Sequence, residues 1–484
     1  MKLAEALDLC PTELLVDGVW RPASDGRRID VHDPATTERI ASVASGDESD
    51  ARAAADAAAR ALPGWAATPA RQRSAVLRRA FELMTERAEY FATLISAENG
   101  KALPDARAEV AYAAEFFRWY AEEAVRLAGT VQHAPAGGYR IVVDRAPIGV
   151  AVLVTPWNYP AAMATRKIGP ALAAGCSVVL KPASDTPLTA LAVGALLAEA
   201  GAPAGVVNVV PADRSGRVVG AMLDHPAVRK LSFTGSTEVG RRLLHSAADR
   251  VLSTSMELGG NAPFLVLADA DLDAAVRGAM LAKMRNGGEA CTAANRFYVH
   301  ESVAEEFASR FAAAMASLRV GPGLEEDTEV GPLVNAATRD KVAELVADAV
   351  TRGARVRTGG RAPDRTGYYY EPTVLDEVAP GSALLTEEIF GPVAPIVRFR
   401  DEAEAIRLAN DTEYGLVSYV YTRDLRRGLA VCGALESGMV GLNRGIVSDP
   451  AAPFGGVKQS GLGREGGHEG ILEYTETKYI ATDW

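Results

Sequence analysis

Residues 177–210, SVVLKPASDTPLTALAVGALLAEAGAPAGVVNVV, carry the pattern on which the fold turns. They open with an apolar, β-branched run at 177–180, the length of a short strand. Thr186-Pro187 then supplies a cap followed by a first-turn proline, and a helix runs from there to about Gly201. A second apolar strand follows at 206–210. Downstream, a helix near 214–223 leads to a strand at 228–233 and a helix from about Thr237. Upstream, strands at 139–144 and 150–154 end in a turn, TPWNYP at 155–160. Strands alternating with helices at this spacing predict an α/β fold built on a doubly wound parallel sheet. Helical periodicity over 49–62, 68–98 and 105–127 predicts a mainly helical opening third, with Ser49 or Asp50 as its first N-cap. Dinucleotides are the usual ligands of such a sheet, yet the fold alone assigns no function.

Composition narrows the classes. A chain of 484 residues with 48% hydrophobic and 23% charged residues predicts two to four domains around a substantial core. Its longest apolar run, 148–154, is far short of the ~18 residues a spanning helix needs. Lys2 is followed by Glu5 and Asp8, the wrong charge order for a secretory leader, so a cytoplasmic location is expected. A net charge of -11 spread along the chain argues against nucleic acid and membrane partners and leaves small molecules. The four cysteines, Cys10, Cys176, Cys291 and Cys432, form no CxxC pair, so neither a disulfide framework nor a metal site is expected.

Glycine-rich strings then have to be sorted. Gly461, Gly463 and Gly466 spell GxGxxG, but they follow no predicted strand and open no βαβ unit, so this string is set aside as a nucleotide loop. Phe233-Thr234-Gly235-Ser236 sits where a strand ends and a helix begins, a place where free N–H groups favour an anion. Two further turns carry the chemistry: Met256-Glu257-Leu258-Gly259-Gly260-Asn261 and Arg285-Asn286-Gly287-Gly288-Glu289-Ala290-Cys291. Glycines let a ligand approach the backbone closely, and a cysteine of ordinary pKa ~8.5 needs a base or cation beside it to act as a nucleophile. Glu257 is the candidate base for Cys291.

Taken together, TPWNYP at 155–160, KPAS at 181–184, FTGS at 233–236, ELGGN at 257–261, the cysteine segment at 285–296, EEIFGP at 387–392 and PFGGVKQSGLGRE at 453–465 resemble the aldehyde dehydrogenase superfamily, over about residues 15–479. The resemblance implies that Cys291 attacks an aldehyde, that Asn158 and the Cys291 N–H form an oxyanion hole, and that Glu257 activates the water that hydrolyses the resulting thioester. Glu465 stands where the family has a second carboxylate that relays protons; an exposed acid in a GRE turn is the alternative. The implied cofactor is NADP or NAD, held by Thr155, Trp157, Asn158, Lys181, Pro182, Ala183, Ser184, Gly235, Ser236, Leu258, Glu388 and Phe390. Serine at 184, where NAD-restricted relatives often carry a glutamate, implies that NADP is accepted.

The chain looks most similar to the succinate-semialdehyde dehydrogenase branch, judged by TRKIGPALAAGCSVVLKPAS, RKLSFTGSTEVGR, GGNAPF and GREGG. That likeness maps a carboxylate clamp onto Arg166, Arg285 and Ser448. Glutarate semialdehyde or an uncharged aliphatic aldehyde is the runner-up substrate, and a cofactor-independent cysteine esterase the alternative of another class. Three departures stand out. Glu289 replaces the usual Gln and either raises the thiol pKa or braces its loop; Arg444 replaces a smaller polar residue and shortens the site or adds a cation; Ala293 leaves no neighbouring cysteine for a disulfide. The expected architecture is a cofactor domain at 1–129 and 148–257, a catalytic domain at 258–445, a substrate loop region at 446–469, and a β flap at 130–147 and 470–484. Such a flap is expected to assemble a homo-oligomer, dimer or tetramer, through its strand edges.

Overall fold

The computed structural model describes residues 1–483; residue 484, the last of the expected flap, lies outside the described residues. Two large sheets divide the chain. In the first, the parallel strands Val207–Val209, Ser177–Lys181, Val150–Val154, Val228–Thr234 and Ser253–Glu257 lie side by side, with short antiparallel strands at both edges. Their register decides what meets at the C-terminal edge: Val154 lies opposite Lys181 and Phe233, and Thr234 opposite Glu257. The strand ends that carry TPWNYP, KPAS, FTGS and ELGGN are thereby gathered on one rim, the side on which doubly wound sheets bind ligands. These strands are buried on both faces, so they read as continuous apolar runs instead of alternating ones.

The chain leaves this sheet at Glu257, turns through residues 258–261, and enters the second sheet as its strand Ala262–Val266. That sheet has the order Arg355–Thr358, Thr373–Asp376, Val393–Phe399, Ala294–His300, Ala262–Val266, Val417–Tyr421, Met439–Leu442. Strand Ala294–His300 begins three residues after Cys291, so the nucleophile candidate also sits at a sheet rim. A third sheet pairs Thr475–Thr482 with Arg140–Pro147 and the latter with Thr130–His133. It leaves Val131, Tyr139, Tyr479 and Ile480 exposed.

Three local expectations are corrected. The first long helix, Glu48–Ala67, is capped by Asp47, whose side chain accepts the Ser49 and Asp50 N–H groups, and not by Ser49 or Asp50. Residues 68–98 form two helices, Ala70–Glu86 and Ala88–Asn99, broken at Arg87 (φ -108°, ψ 27°). The second is buried from Phe91 to Asn99 on every side, so it cannot extend the amphipathic first helix along one axis. Thr186 is no cap: helix Leu188–Glu199 has its Leu188 and Thr189 N–H groups bound by the buried Glu98 carboxylate at 2.7 and 2.9 Å, while Thr186 donates to the Trp157 carbonyl at 3.3 Å.

The GxGxxG string is structural. Gly461 pairs with Glu257 in the edge strand Gly461–Leu462, and its φ of +138° suits glycine alone. A Cβ there would lie 1.8 Å from the Met256 carbonyl oxygen. We expect Gly461→Ala to lower stability by at least about 1–3 kcal/mol, seen as a reduced urea midpoint at unchanged slope.

Candidate active site

A cavity of about 400 Å³ lies where the rims of the two large sheets face each other. Its wall includes Trp157, Asn158, Arg166, Arg285, Cys291 and Glu388, together with Gly235, Ser236, Leu258, Phe390 and Ser448 from the expected set. Thr155, Lys181, Pro182, Ala183 and Ser184 stand outside that wall, at the ends of their strands on the same rim. Glu257 and Glu465 lie just behind it, buried at 2% and 4% exposure.

The cysteine loop is held by an unusual turn. Asn286 adopts φ 55°, ψ 39°, and Gly287 and Gly288 follow with φ 59° and 83°. A side chain at Gly288 would strike the Gly391 carbonyl, 2.3 Å from its Cβ, so the EEIFGP segment packs directly onto the loop. Asn286 donates its backbone N–H to Asp105 (2.8 Å) and its side-chain amide to the carbonyls of Asn158 and Glu289 (both 3.0 Å). The Asn158 amide donates to the same Glu289 carbonyl at 2.9 Å. The Asn158 carbonyl in turn accepts from Lys101 Nζ at 2.6 Å, and Lys101 is paired with Glu109 at 2.6 Å. Glu109 closes the network by accepting the Ala161 and Ala162 N–H groups at the start of helix Pro160–Ala174. Asn158 and Cys291 are thus positioned by one hydrogen-bonded junction. Lys101, Asp105 and Glu109 were invisible to motif reading, because they come from the helical opening third and touch no glycine-rich turn.

Charge is distributed unevenly around the thiol. Burial pushes Cys291 up to about 12, against the pull of Arg166 and Arg285 and with the help of Glu388 and Glu257. Burial likewise holds the Glu257 carboxyl well above the ordinary carboxylate value, with the Glu465 charge adding to it. Neither carboxyl oxygen of Glu257 has a hydrogen-bond partner among the described residues. Glu465 is not the exposed acid of the alternative reading. It pairs with Arg166 Nε at 2.6 Å and Lys167 Nζ at 2.5 Å. Burial alone would raise its carboxyl, but Lys167 and Arg166 outweigh that and keep it below the ordinary value. One acid of the pair is therefore held below the ordinary carboxylate value and the other above it, a division that marks acid-base sites.

On the cofactor side, Ser236 caps helix Thr237–Ala248 by accepting the Val239 N–H (3.4 Å), leaving the first turn of that helix open toward the cavity. Glu388 accepts the Gly260 N–H through one oxygen at 3.1 Å, and burial raises its carboxyl to about 7. Trp157 meets Phe390 edge to face, 5.4 Å between ring centres. Lys181 Nζ donates to Ser215 at 2.5 Å, and burial draws it down to about 8 despite Asp185 and Asp213. An open helix N-terminus for a pyrophosphate, a carboxyl oxygen for a ribose hydroxyl and an aromatic wall fit a dinucleotide.

The cavity wall also holds two guanidiniums with different surroundings, Arg166 buried and Arg285 half-buried. Arg166 is compensated by Glu465 and lies over the Phe454 ring at 4.3 Å. Among the described residues, Arg285 donates to the hydroxyls of Tyr159 at 3.2 Å and Thr292 at 3.4 Å. Glu289 is turned from the thiol and accepts the Val334 N–H at 3.1 Å, so it braces the loop; burial raises its carboxyl to about 8. Arg444 is exposed and lies outside the cavity wall, so it neither shortens the site nor adds a cation to it.

Comparison with known proteins places this geometry. The aldehyde dehydrogenase family profile matches residues 20–480. A succinate-semialdehyde dehydrogenase of Paenarthrobacter nicotinovorans is 56% identical over 91% of this chain and 98% of its own length. A glutarate-semialdehyde dehydrogenase of Pseudomonas putida is 50% identical over 99% of both chains. The crystal structure of an NADP-dependent enzyme of E. coli superposes with a TM-score of 0.97, at 48% identity and 99% coverage of each chain. A cofactor-independent esterase is excluded by this kinship. The chain belongs to the aldehyde dehydrogenase family, as an NAD(P)+-dependent enzyme similar to the succinate-semialdehyde dehydrogenases.

Proposed function

We propose that the enzyme oxidises succinate semialdehyde to succinate. The observation that carries this reading is Arg285, a half-buried cation in the cavity wall whose hydrogen bonds go to the hydroxyls of Tyr159 and Thr292 and to no carboxylate among the described residues. A distal carboxylate would neutralise it through charge-assisted bonds, with Ser448 and Arg166 on the same wall. An aldehyde without that carboxylate would forgo those bonds. Glutarate semialdehyde, one methylene longer, is the second reading, supported by the equally extensive likeness to an enzyme of that name.

In this reading Cys291 Sγ loses its proton and attacks the aldehyde carbon, and the Asn158 amide with the Cys291 N–H stabilises the oxyanion. The nicotinamide, when bound, supplies the acceptor for the two electrons removed from the aldehyde. A thioester is left on Cys291. Glu257 takes a proton from water as its oxygen bonds to the acyl carbon, and the C–S bond then breaks to return the thiol. Lys181, Ser184 and Ser215 form the polar end of the cofactor site, where no glutamate opposes a 2′-phosphate, and we assign NADP as the preferred cofactor. Residues 1–129 with 148–257 act as the cofactor domain, 258–445 as the catalytic domain and 446–469 as the substrate loop region. The flap at 130–147 and 470–484 pairs with a second copy through its exposed strands.

The reading is checked by following NAD(P)H formation with succinate semialdehyde, glutarate semialdehyde and butyraldehyde, each with both cofactors. Succinate semialdehyde with NADP+ should be the best pair, and Cys291→Ala inactive with all. Arg285→Ala should lower kcat/KM for succinate semialdehyde by roughly 10–100-fold, the loss of one charge-assisted contact, and leave butyraldehyde little changed; equal losses for both would overturn the clamp. Because the folded environment raises both Cys291 and Glu257, their basic forms gain population as pH rises. Inactivation by iodoacetamide in the absence of cofactor should therefore climb with pH without a plateau below about pH 9. Sedimentation at micromolar concentration should find a dimer or larger species; a monomer would remove the flap pairing.

A further inference from the structure

Arg166 faces two ways. It sits on the fully buried helix Pro160–Ala174, is 1% exposed, and contributes to the cavity wall beside Arg285 and Ser448. Its Nε lies 2.6 Å from Glu465 Oε2 as an ion pair without a hydrogen bond, while Nη2 donates to the Met163 sulfur at 3.1 Å. A guanidinium carries five N–H donors in a plane, and a thioether is a weak acceptor, so the Nη edge retains capacity for a carboxylate. Glu465 has a second cation: Lys167 Nζ lies 2.5 Å from Oε1 and also donates to Ser232 at 2.9 Å. The cluster thus holds two cations, one fixed carboxylate, and Glu257 near enough to share their field.

We propose that Arg166 is shared between Glu465 and the distal carboxylate of the substrate, so that filling the clamp loosens Glu465 and couples substrate recognition to the Glu465–Glu257 carboxylate pair. This rests on the ω-carboxylate reading above. Two carboxylates on one buried guanidinium each receive less of its charge than one alone. When the substrate docks, Glu465 loses part of its compensation and becomes more basic, while Lys167 keeps it from standing unpaired. A more basic Glu465 is a better acceptor for the proton that Glu257 takes from water. The carboxylate of the substrate then contributes to turnover as well as to affinity, and an uncharged aldehyde forgoes both.

The test is a calorimetric titration of the full-length enzyme, at about pH 8.5, with succinate and with uncharged butyramide. Glu465→Gln removes the competitor for Arg166, so succinate should bind roughly tenfold tighter, with butyramide unchanged. Lys167→Met leaves Glu465 with Arg166 as its only cation, so succinate should bind roughly tenfold weaker, again with butyramide unchanged. A general structural defect would weaken both ligands in both variants, whereas sharing predicts opposite signs for one ligand. Succinate affinity that is unchanged or weakened in a folded Glu465→Gln overturns the proposal. Should that variant fail to fold, unchanged or tightened succinate binding in Lys167→Met overturns it alone. If the wild-type enzyme shows no preference for succinate semialdehyde over butyraldehyde, the substrate reading falls and the sharing with it; if it does, and the variants move together or not at all, only the sharing falls.

Discussion

The buried ion pair between Lys101 and Glu109 is the constraint on which the site depends. Neither side chain is more than 1% exposed, and their 2.6 Å contact lies inside a network that leaves no oxygen of Glu109 idle. Glu109 caps the helix that carries Arg166 and Lys167, while Lys101 holds the carbonyl of Asn158. Removing one member of such a pair leaves an uncompensated charge in a medium that cannot solvate it, a cost of about 3–5 kcal/mol. The helical opening third therefore does more than cover the first sheet. It supplies the buttress against which Asn158 and the helix carrying Arg166 are set.

Close backbone approaches complete the frame. Gly288 lies against Gly391, Gly260 against the Cys291 carbonyl, and Gly461 against Met256. Each join brings together segments from different parts of the chain, and at each a single Cβ would separate them by more than a side-chain rotation can absorb. The glycines of ELGGN, RNGGEAC and PFGGVKQSGLGRE thus act as the contact points at which two sheets and a C-terminal loop are pressed into one cavity.

Within that frame, burial does the electrostatic work. Cys291, Glu257, Glu289 and Glu388 are all raised because they have left water, and they differ in what compensates them. Glu289 and Glu388 each accept a backbone N–H and hold parts of the wall. Glu465 is tied down by two cations and stays ionised. Glu257 alone of these carboxylates has neither oxygen satisfied by the described residues, which leaves it free to exchange a proton. Position in the cluster, more than residue type, separates Glu257 from the acids that hold the wall.

The sequence by itself determined the parallel α/β architecture, the family, and many of the residues that line the cavity, because these rest on local patterns: apolar runs of strand length, caps, and glycine turns whose spacing is written along the chain. It also permitted the rejection of the GxGxxG string, because that string opens no βαβ unit; the short strands Val457–Lys458 and Gly461–Leu462 that precede and begin it were not legible. Only the tertiary structure decided that Glu98 and not Thr186 caps a helix, that Asp47 caps the first long one, that Arg166 pairs with Glu465 while Arg285 donates to hydroxyls, that Arg444 stands outside the wall, and that Glu289 turns to Val334. Every one of these depends on which charge lies within about 3–4 Å of which group, and those neighbours come from segments as far apart in the chain as residues 166 and 465. Chain order does not record such distances; packing of the two sheets against the helical third creates them.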